Sequence, residues 1–137
     1  MIINEANQLL LSDEFRFGHF FTKFPGGGIE PGEGIIDALH RELFEEMNLK
    51  INEAIPFYYN DFYQESAFRT EDQIVSFYYL VKIEPSKMKL HSYSIPFSEE
   101  GEKQRWVAIN DLTGNDLTFP IDKIVLSKLK KKYQKTI

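Results

Sequence analysis

The chain contains no cysteine. That absence removes disulfides, thiolate nucleophiles and cysteine-ligated zinc together, so any metal must be held by oxygen or by histidine nitrogen. Histidine is scarce too. His19, His40 and His91 stand at no ligand spacing from one another, and ordinary surface or packing roles account for them. Oxygen is therefore the expected donor. No run of about 18 apolar residues could span a bilayer, and the start MIINEANQLL lacks the charged-then-apolar pattern of a signal peptide. The expectation is a cytoplasmic protein without a membrane partner. Positive charge is in deficit, with 16 Lys and Arg against 21 Asp and Glu and a net charge of −5. General nucleic-acid binders usually present a basic surface, so a nucleic-acid partner is not expected. A small anionic ligand stays open, because a divalent ion can turn carboxylates into an anion site.

What is present suits one domain over residues 1–137, with 42% hydrophobic and 15% aromatic residues and no repeat or linker. Gln8 to Leu11 and Phe15 to Phe24 read as strands ahead of a glycine-proline loop, Pro25 to Glu33. Ile36, Leu39, Leu43 and Met47 then recur at helical spacing and predict a helix from about Gly34 to Met47. Two aromatic-rich strands follow, Ala54 to Tyr63 and Ile74 to Ile83, then an irregular stretch from Glu84 to about Glu102 and a strand from Gln104 to Ile109. Pro120 suits the first turn of a closing helix with apolar positions at Ile121, Ile124, Val125, Leu129 and Tyr133. A central mixed β-sheet with helices on both faces, an α/β/α sandwich of the α/β class, uses all of these elements.

Most of the chemical information lies in GGIEPGEGIIDALHRELFEEMNL, from Gly27 to Leu49. At 100° per helical residue, Glu42, Glu45 and Glu46 fall within about 100° of arc, beside the apolar stripe rather than opposite it. Like charges at such spacings cost roughly 0.2 to 0.5 kcal/mol per pair, and Glu30, Glu33 and Asp37 add negative charge nearby. Arg41 can pair with one carboxylate, Glu33 across the loop being a candidate, but it cannot neutralise the group. A divalent ion can, and Mg²⁺ favours oxygen ligands from one or two carboxylates, waters and substrate phosphates. Ahead of the helix, Gly26, Gly27 and Gly28 leave backbone exposed, so a carbonyl can face a metal and a phosphate can approach. An acidic helix face alone is more often simply solvated; the glycine loop at this offset changes that reading.

This segment resembles the Nudix box: Gly, five residues, Glu, seven residues, Arg-Glu, apolar, any, Glu-Glu, any, Gly, apolar. Six of the seven polar or glycine positions are met, which chance would give on the order of 10⁻⁷ to 10⁻⁸ times per start site. The departure is Asn48, where the pattern has glycine; asparagine is the next best left-handed helix cap. KFPGGG before the box and RWVAINDL after it extend the likeness to about half the chain. The resemblance implies a Nudix-type sandwich with the box as loop-helix-loop. It implies Mg²⁺ or Mn²⁺ held by Glu42, Glu45, Glu46 and the Gly26 carbonyl, with Glu33 and Arg41 bracing the loop. The implied activity is hydrolysis of a phosphoanhydride bond in a nucleoside diphosphate linked to another group, such as ADP-ribose, a nucleoside triphosphate or a nucleotide sugar. The general base is left among Glu42, Glu99, Glu100 and Glu102.

An alternative is a non-catalytic Nudix-fold sensor of nucleotide metabolites; such modules commonly lose box carboxylates, and this chain keeps them all. An isomerase on the same scaffold would normally need cysteine chemistry. Nudix domains also usually open with a full strand, and only Met1 to Ile3 remain for it, which predicts an open sheet edge and a homodimer. Phe57, Tyr58, Tyr59, Phe62, Tyr63, Phe77 and Tyr78 are expected chiefly as sheet core, with one or two free to stack on a base. Lys128, Lys130, Lys131, Lys132 and Lys135 are expected on the wet face of the last helix. Lys23, Arg69 and Arg105 are the other cations available to phosphate.

Overall fold

A computed structural model describes residues 1–83 and 90–134. In chain order it contains β1 (Gln8–Arg16), β2 (His19–Lys23), α1 (Ile35–Met47), β3 (Ile51–Tyr59), β4 (Phe77–Ile83), β5 (Gly101–Ala108), two short 3₁₀ turns and α2 (Pro120–Gln134). Strands β2, β1 and β5 form an antiparallel sheet in that order, and β3 pairs antiparallel with β4. The chain from Phe15 to Phe24 is not one strand. Phe17 and Gly18, at φ 55° and 75°, turn it into the β1–β2 hairpin, so the apolar run conceals a tight turn.

Met1 to Ile3 join the two sheets. Ile2 bridges Val81 in parallel and Ile3 bridges Leu9 in antiparallel fashion, which makes the assembled sheet mixed. The Leu10 N–H donates to the Ile2 carbonyl at 3.0 Å and the Val81 N–H to the Met1 carbonyl at 2.8 Å. Asn4 turns the chain back by accepting from the N–H groups of Ala6 and Gln8, each at 3.0 Å. The expected open edge is therefore corrected: Met1 and Ile2 are buried in the interior, and short as the segment is, it fills the slot between β1 and β4.

Three consecutive leucines on β1, Leu9, Leu10 and Leu11, are each fully buried. Because strand side chains alternate faces, this requires cover on both sides of the sheet. Leu9 and Leu11 pack with Leu112, Leu117, Val125 and Leu129 beneath α2, while Leu10 packs with Leu43, Met47 and Val81 beneath α1. Burying each leucine contributes roughly 1.5 to 3 kcal/mol. The result is the sandwich read from the pattern of elements.

Helix α1 buries Ala38, Leu43 and Met47; Ile36, placed on the buried stripe by its spacing, is exposed instead. It sits one turn too early, where the helix leaves the loop before reaching the sheet. Asn48 caps the helix in the left-handed conformation, φ 53°, and the Leu49 N–H reaches back to the Leu43 carbonyl at 3.2 Å.

Both middle strands are shorter than their aromatic runs. Asn60, buried, donates to the carbonyls of Phe62 and Ile74 and accepts from the Ser76 N–H, so its side chain replaces the ladder. Tyr59 and Phe77 form the last ladder pair, and with Phe62 and Tyr63 beyond it they are exposed rather than core. Phe57, Tyr58 and Tyr78 do pack against the α2 core. Residues 84–89 of the irregular stretch lie outside the described residues, and its end, Gly101 and Glu102, belongs to β5. Lys128, Lys131 and Lys132 are exposed on α2, with Lys128 and Lys132 above the rings of Tyr58 and Phe57. Lys130 donates to the Leu112 carbonyl, and Lys135 lies outside the described residues. Among the described residues, no helix is long and apolar enough to cross a membrane.

Candidate active site

The loop from Phe24 to Gly34 leaves the end of β2 and feeds α1. Gly26 has φ 152°, a conformation that disfavours any side chain. At Gly27 the constraint is space, since a Cβ there would collide with the Glu42 carboxylate. Glu42 thus lies directly against the loop backbone.

Arg41 ties loop to helix. It donates to Glu33 through Nε at 3.0 Å and Nη2 at 2.6 Å, to the Gly28 carbonyl at 2.9 Å, and to Glu42 at 2.9 Å. Glu33 also accepts from the Glu30 N–H at 2.7 Å. The Arg41 guanidinium and that N–H hold the Glu33 carboxyl down to about 2.

The box carboxylates behave differently from one another. Glu45 is largely exposed and turns to Arg41 at 3.3 Å. Glu46 is hydrogen-bonded to Glu42; burial, that bond and the nearby Glu102 charge push its carboxyl up to about 8, against a lowering by Lys23. Two carboxylates in contact share a proton when no cation separates them. Among the described residues, no three carboxylate or imidazole side chains converge into a ready cation cage. Glu46 instead bonds to Glu42 and feels the charge of Glu102 from further off, with Lys23 against the Gly26 carbonyl at 3.0 Å. Of the three acids weighed near β5, Glu99 and Glu100 are exposed, and Glu102 faces the cluster. Its carboxyl is raised, chiefly by burial and then by Glu14, with Arg16 and Lys23 opposing.

Glu14 escaped the sequence reading. It is buried on β1, pairs in register with Glu102, accepts from Ser12 at 3.0 Å and Arg16 at 3.0 Å, and lies 3.3 Å from Lys23. The available signal was parity: Leu10, Ser12 and Glu14 share one face, so an inward apolar position is followed four residues later by an inward acid. Of the other cations, Arg105 is committed to Asp13 at 2.7 Å and Arg69 pairs with exposed Glu71 and Asp72. His19, His40 and His91 are all exposed.

A cavity of about 680 Å³ adjoins the loop, running from Gly26–Gly28 and Glu42 past Phe68 and Phe119 to Tyr78 and Asp122. Asp122 is buried and accepts from the Tyr78 hydroxyl at 2.5 Å; burial raises its carboxyl. The volume suits a ligand of nucleotide size, polar at the loop and aromatic along its wall.

A glycine loop bound by arginine to an acidic helix, on a sandwich of this topology, defines a Nudix domain. The Nudix domain family model matches residues 1–129, and the chain belongs to that family. It is similar to the RNA pyrophosphohydrolases of Cronobacter sakazakii, at 44% identity over 50 residues, and Erwinia tasmaniensis, at 47% over 49. Each match covers 36% of this chain and 27% of the relative, so the chain spans about a quarter of the length of these curated relatives. Among solved structures, a Nudix hydrolase from Nitrosomonas europaea aligns with TM-score 0.68 at 19% identity, covering 96% of this chain and 84% of that one. The MutT protein of Bacillus halodurans aligns with TM-score 0.67 at 20% identity, covering 93% and 76%. These neighbours share the fold. Members of the family generally use divalent cations.

Proposed function

We propose that the chain hydrolyses a phosphoanhydride bond in a nucleoside diphosphate derivative, using Mg²⁺ or Mn²⁺ held by Glu42, Glu46 and the Gly26 carbonyl. The observation that carries the proposal is the hydrogen-bonded Glu42–Glu46 carboxyl pair lying against the glycine loop, with the Glu42 carboxylate filling the space that a Cβ on Gly27 would take. Such a pair of hard oxygen donors beside a loop backbone fits Mg²⁺. Glu45 can join by turning from Arg41, since it is exposed and held by one surface contact. When bound, the ion would neutralise the diphosphate and make a water more acidic.

The chain's own residues would do the rest. Arg41 and Glu33 fix the loop, so that the Gly26 carbonyl and the loop N–H groups keep their orientation. Glu102, raised and facing the cluster, is our choice to take the proton of the attacking water, in preference to exposed Glu99 and Glu100. The cavity wall would hold the nucleoside and exclude water. The relatives' name adds one substrate to test, RNA ending in a pyrophosphate group, alongside ADP-ribose, nucleoside triphosphates, nucleotide sugars and dinucleoside polyphosphates. The test is release of phosphate or nucleotide from this panel with Mg²⁺ present or chelated. Metal-dependent release from at least one member is expected; binding without product anywhere in the panel would overturn the reading and favour a sensor.

A further inference from the structure

Lys23, the last residue of β2, stands at the centre of the acidic cluster. Its Nζ lies 3.0 Å from the Gly26 carbonyl, 3.4 Å from the Phe24 carbonyl and 3.3 Å from a Glu14 oxygen. Its charge also favours the ionised forms of Glu46, Glu102 and Asp122. The neighbouring cations are committed elsewhere: Arg16 to Glu14 and Glu102, Arg41 to Glu33, Glu42 and Glu45. Glu14 does not depend on Lys23 alone, because Ser12 and Arg16 also donate to it.

The carbonyl capped by this ammonium is the one assigned above to a divalent ion, and the inference rests on that reading. Two cations cannot share one carbonyl without strong mutual repulsion in a partly buried site. Lysine is suited to move: its charge is a compact point on a flexible four-carbon stem. Lys23 also lines the cavity beside the loop.

We propose that Lys23 is a tethered cation that alternates with the divalent ion at the Gly26 carbonyl, capping it when no ion is bound and swinging into the cavity toward an anionic substrate when one arrives. Lys23 binds the anion directly in this scheme. It weakens metal binding in the absence of substrate, and it makes metal and anion binding reinforce each other, since the ion frees the ammonium that the anion needs.

The test uses Mn²⁺ alone, titrated into the whole protein by calorimetry and by electron paramagnetic resonance. Lys23→Met is expected to bind Mn²⁺ about tenfold more tightly than the unaltered protein, and Lys23→Arg within about twofold of it. With Mn²⁺ saturating, inorganic pyrophosphate is expected to bind Lys23→Met more weakly. Equal or weaker Mn²⁺ binding by Lys23→Met, with its metal-free melting temperature unchanged, would overturn the proposal. Should Lys23→Met fail to fold, Lys23→Gln keeps a donor to the carbonyl without the charge and is read in the same way. Absence of Mn²⁺ binding in the unaltered protein defeats both this inference and the proposed function. Mn²⁺ binding there without a gain in the variants defeats this inference alone.

Discussion

Strand β1 carries two buried acids on opposite faces, Asp13 and Glu14, and the clusters around them are built to opposite ends. On the α2 face, Asp13 accepts from the Thr22 hydroxyl at 2.5 Å, the Tyr93 hydroxyl at 2.7 Å and the Arg105 guanidinium at 2.7 Å. One carboxylate there meets one cation and two hydroxyls. On the α1 face, Glu14 pairs in register with Glu102 and Glu42 bonds to Glu46, and burial first, then the Glu42 bond and the Glu102 charge, push the Glu46 carboxyl up to about 8. A satisfied buried network stabilises a fold. A frustrated one costs stability and is retained where something else is to bind.

The sharpest contrast should come from neutralising one acid in each cluster. Glu46→Gln is expected to lower metal-dependent turnover by about 10²- to 10³-fold, the size typical of losing one electrostatic contact to a transition state. Near neutral pH the folded protein already carries the Glu46 proton, so Gln replaces one neutral group with another. Its metal-free melting temperature should stay level with that of the unaltered protein below about pH 4.5 and exceed it increasingly as pH rises to about 8, because only the glutamate must keep a proton to fold. A clear loss of stability in Glu46→Gln would break the comparison. Asp13→Asn should do the reverse. Leaving Arg105 without its counter-charge is expected to cost about 2 kcal/mol, seen as a melting temperature lower by several degrees, while turnover per folded molecule is kept. Arg41→Lys gives the smallest effect. It retains the charge but loses the fork that spans Glu33 and the Gly28 carbonyl, so about tenfold lower turnover with little change in melting is expected, measured by steady-state kinetics.

The contrast also explains what the sequence could reveal. The box was legible because its chemistry depends on fixed spacing along one loop and one helix: Glu33 to Arg41 is a local contact, and Asn48 reads as a cap. The sandwich was legible from the order of strand and helix patterns, which a central sheet with helices on both faces accommodates. Contacts between distant segments were not legible. Strand parity puts Glu14 on an inward face and composition offers Lys23 as a cation for phosphate, but only the β1–β2 and β1–β5 registers bring the two together at the site. The turn at Phe17 and Gly18 was hidden by aromatic neighbours, and the strand ends were set by a single buried side chain, Asn60. The short N-terminal strand misled because pairing, rather than length, decides whether an edge is open.

The central claim is that Glu46 holds its proton far above the ordinary carboxylate range until a cation displaces it. The folded carboxyl lies above its usual value of 4.5, so its contribution to stability is complete below about 4.5 and is lost as pH rises through about 8; metal binding should strengthen over the same interval, releasing a proton. The direct measurement is a pH titration of the Glu46 side-chain carboxyl by ¹³C nuclear magnetic resonance, assigned with Glu46→Gln, in chelator and again in Mg²⁺. The account predicts a midpoint near 8 without metal and a fall into the ordinary range or below with it. A Glu46 carboxyl that titrates near 4.5 in chelator, and does not respond to Mg²⁺, would contradict it.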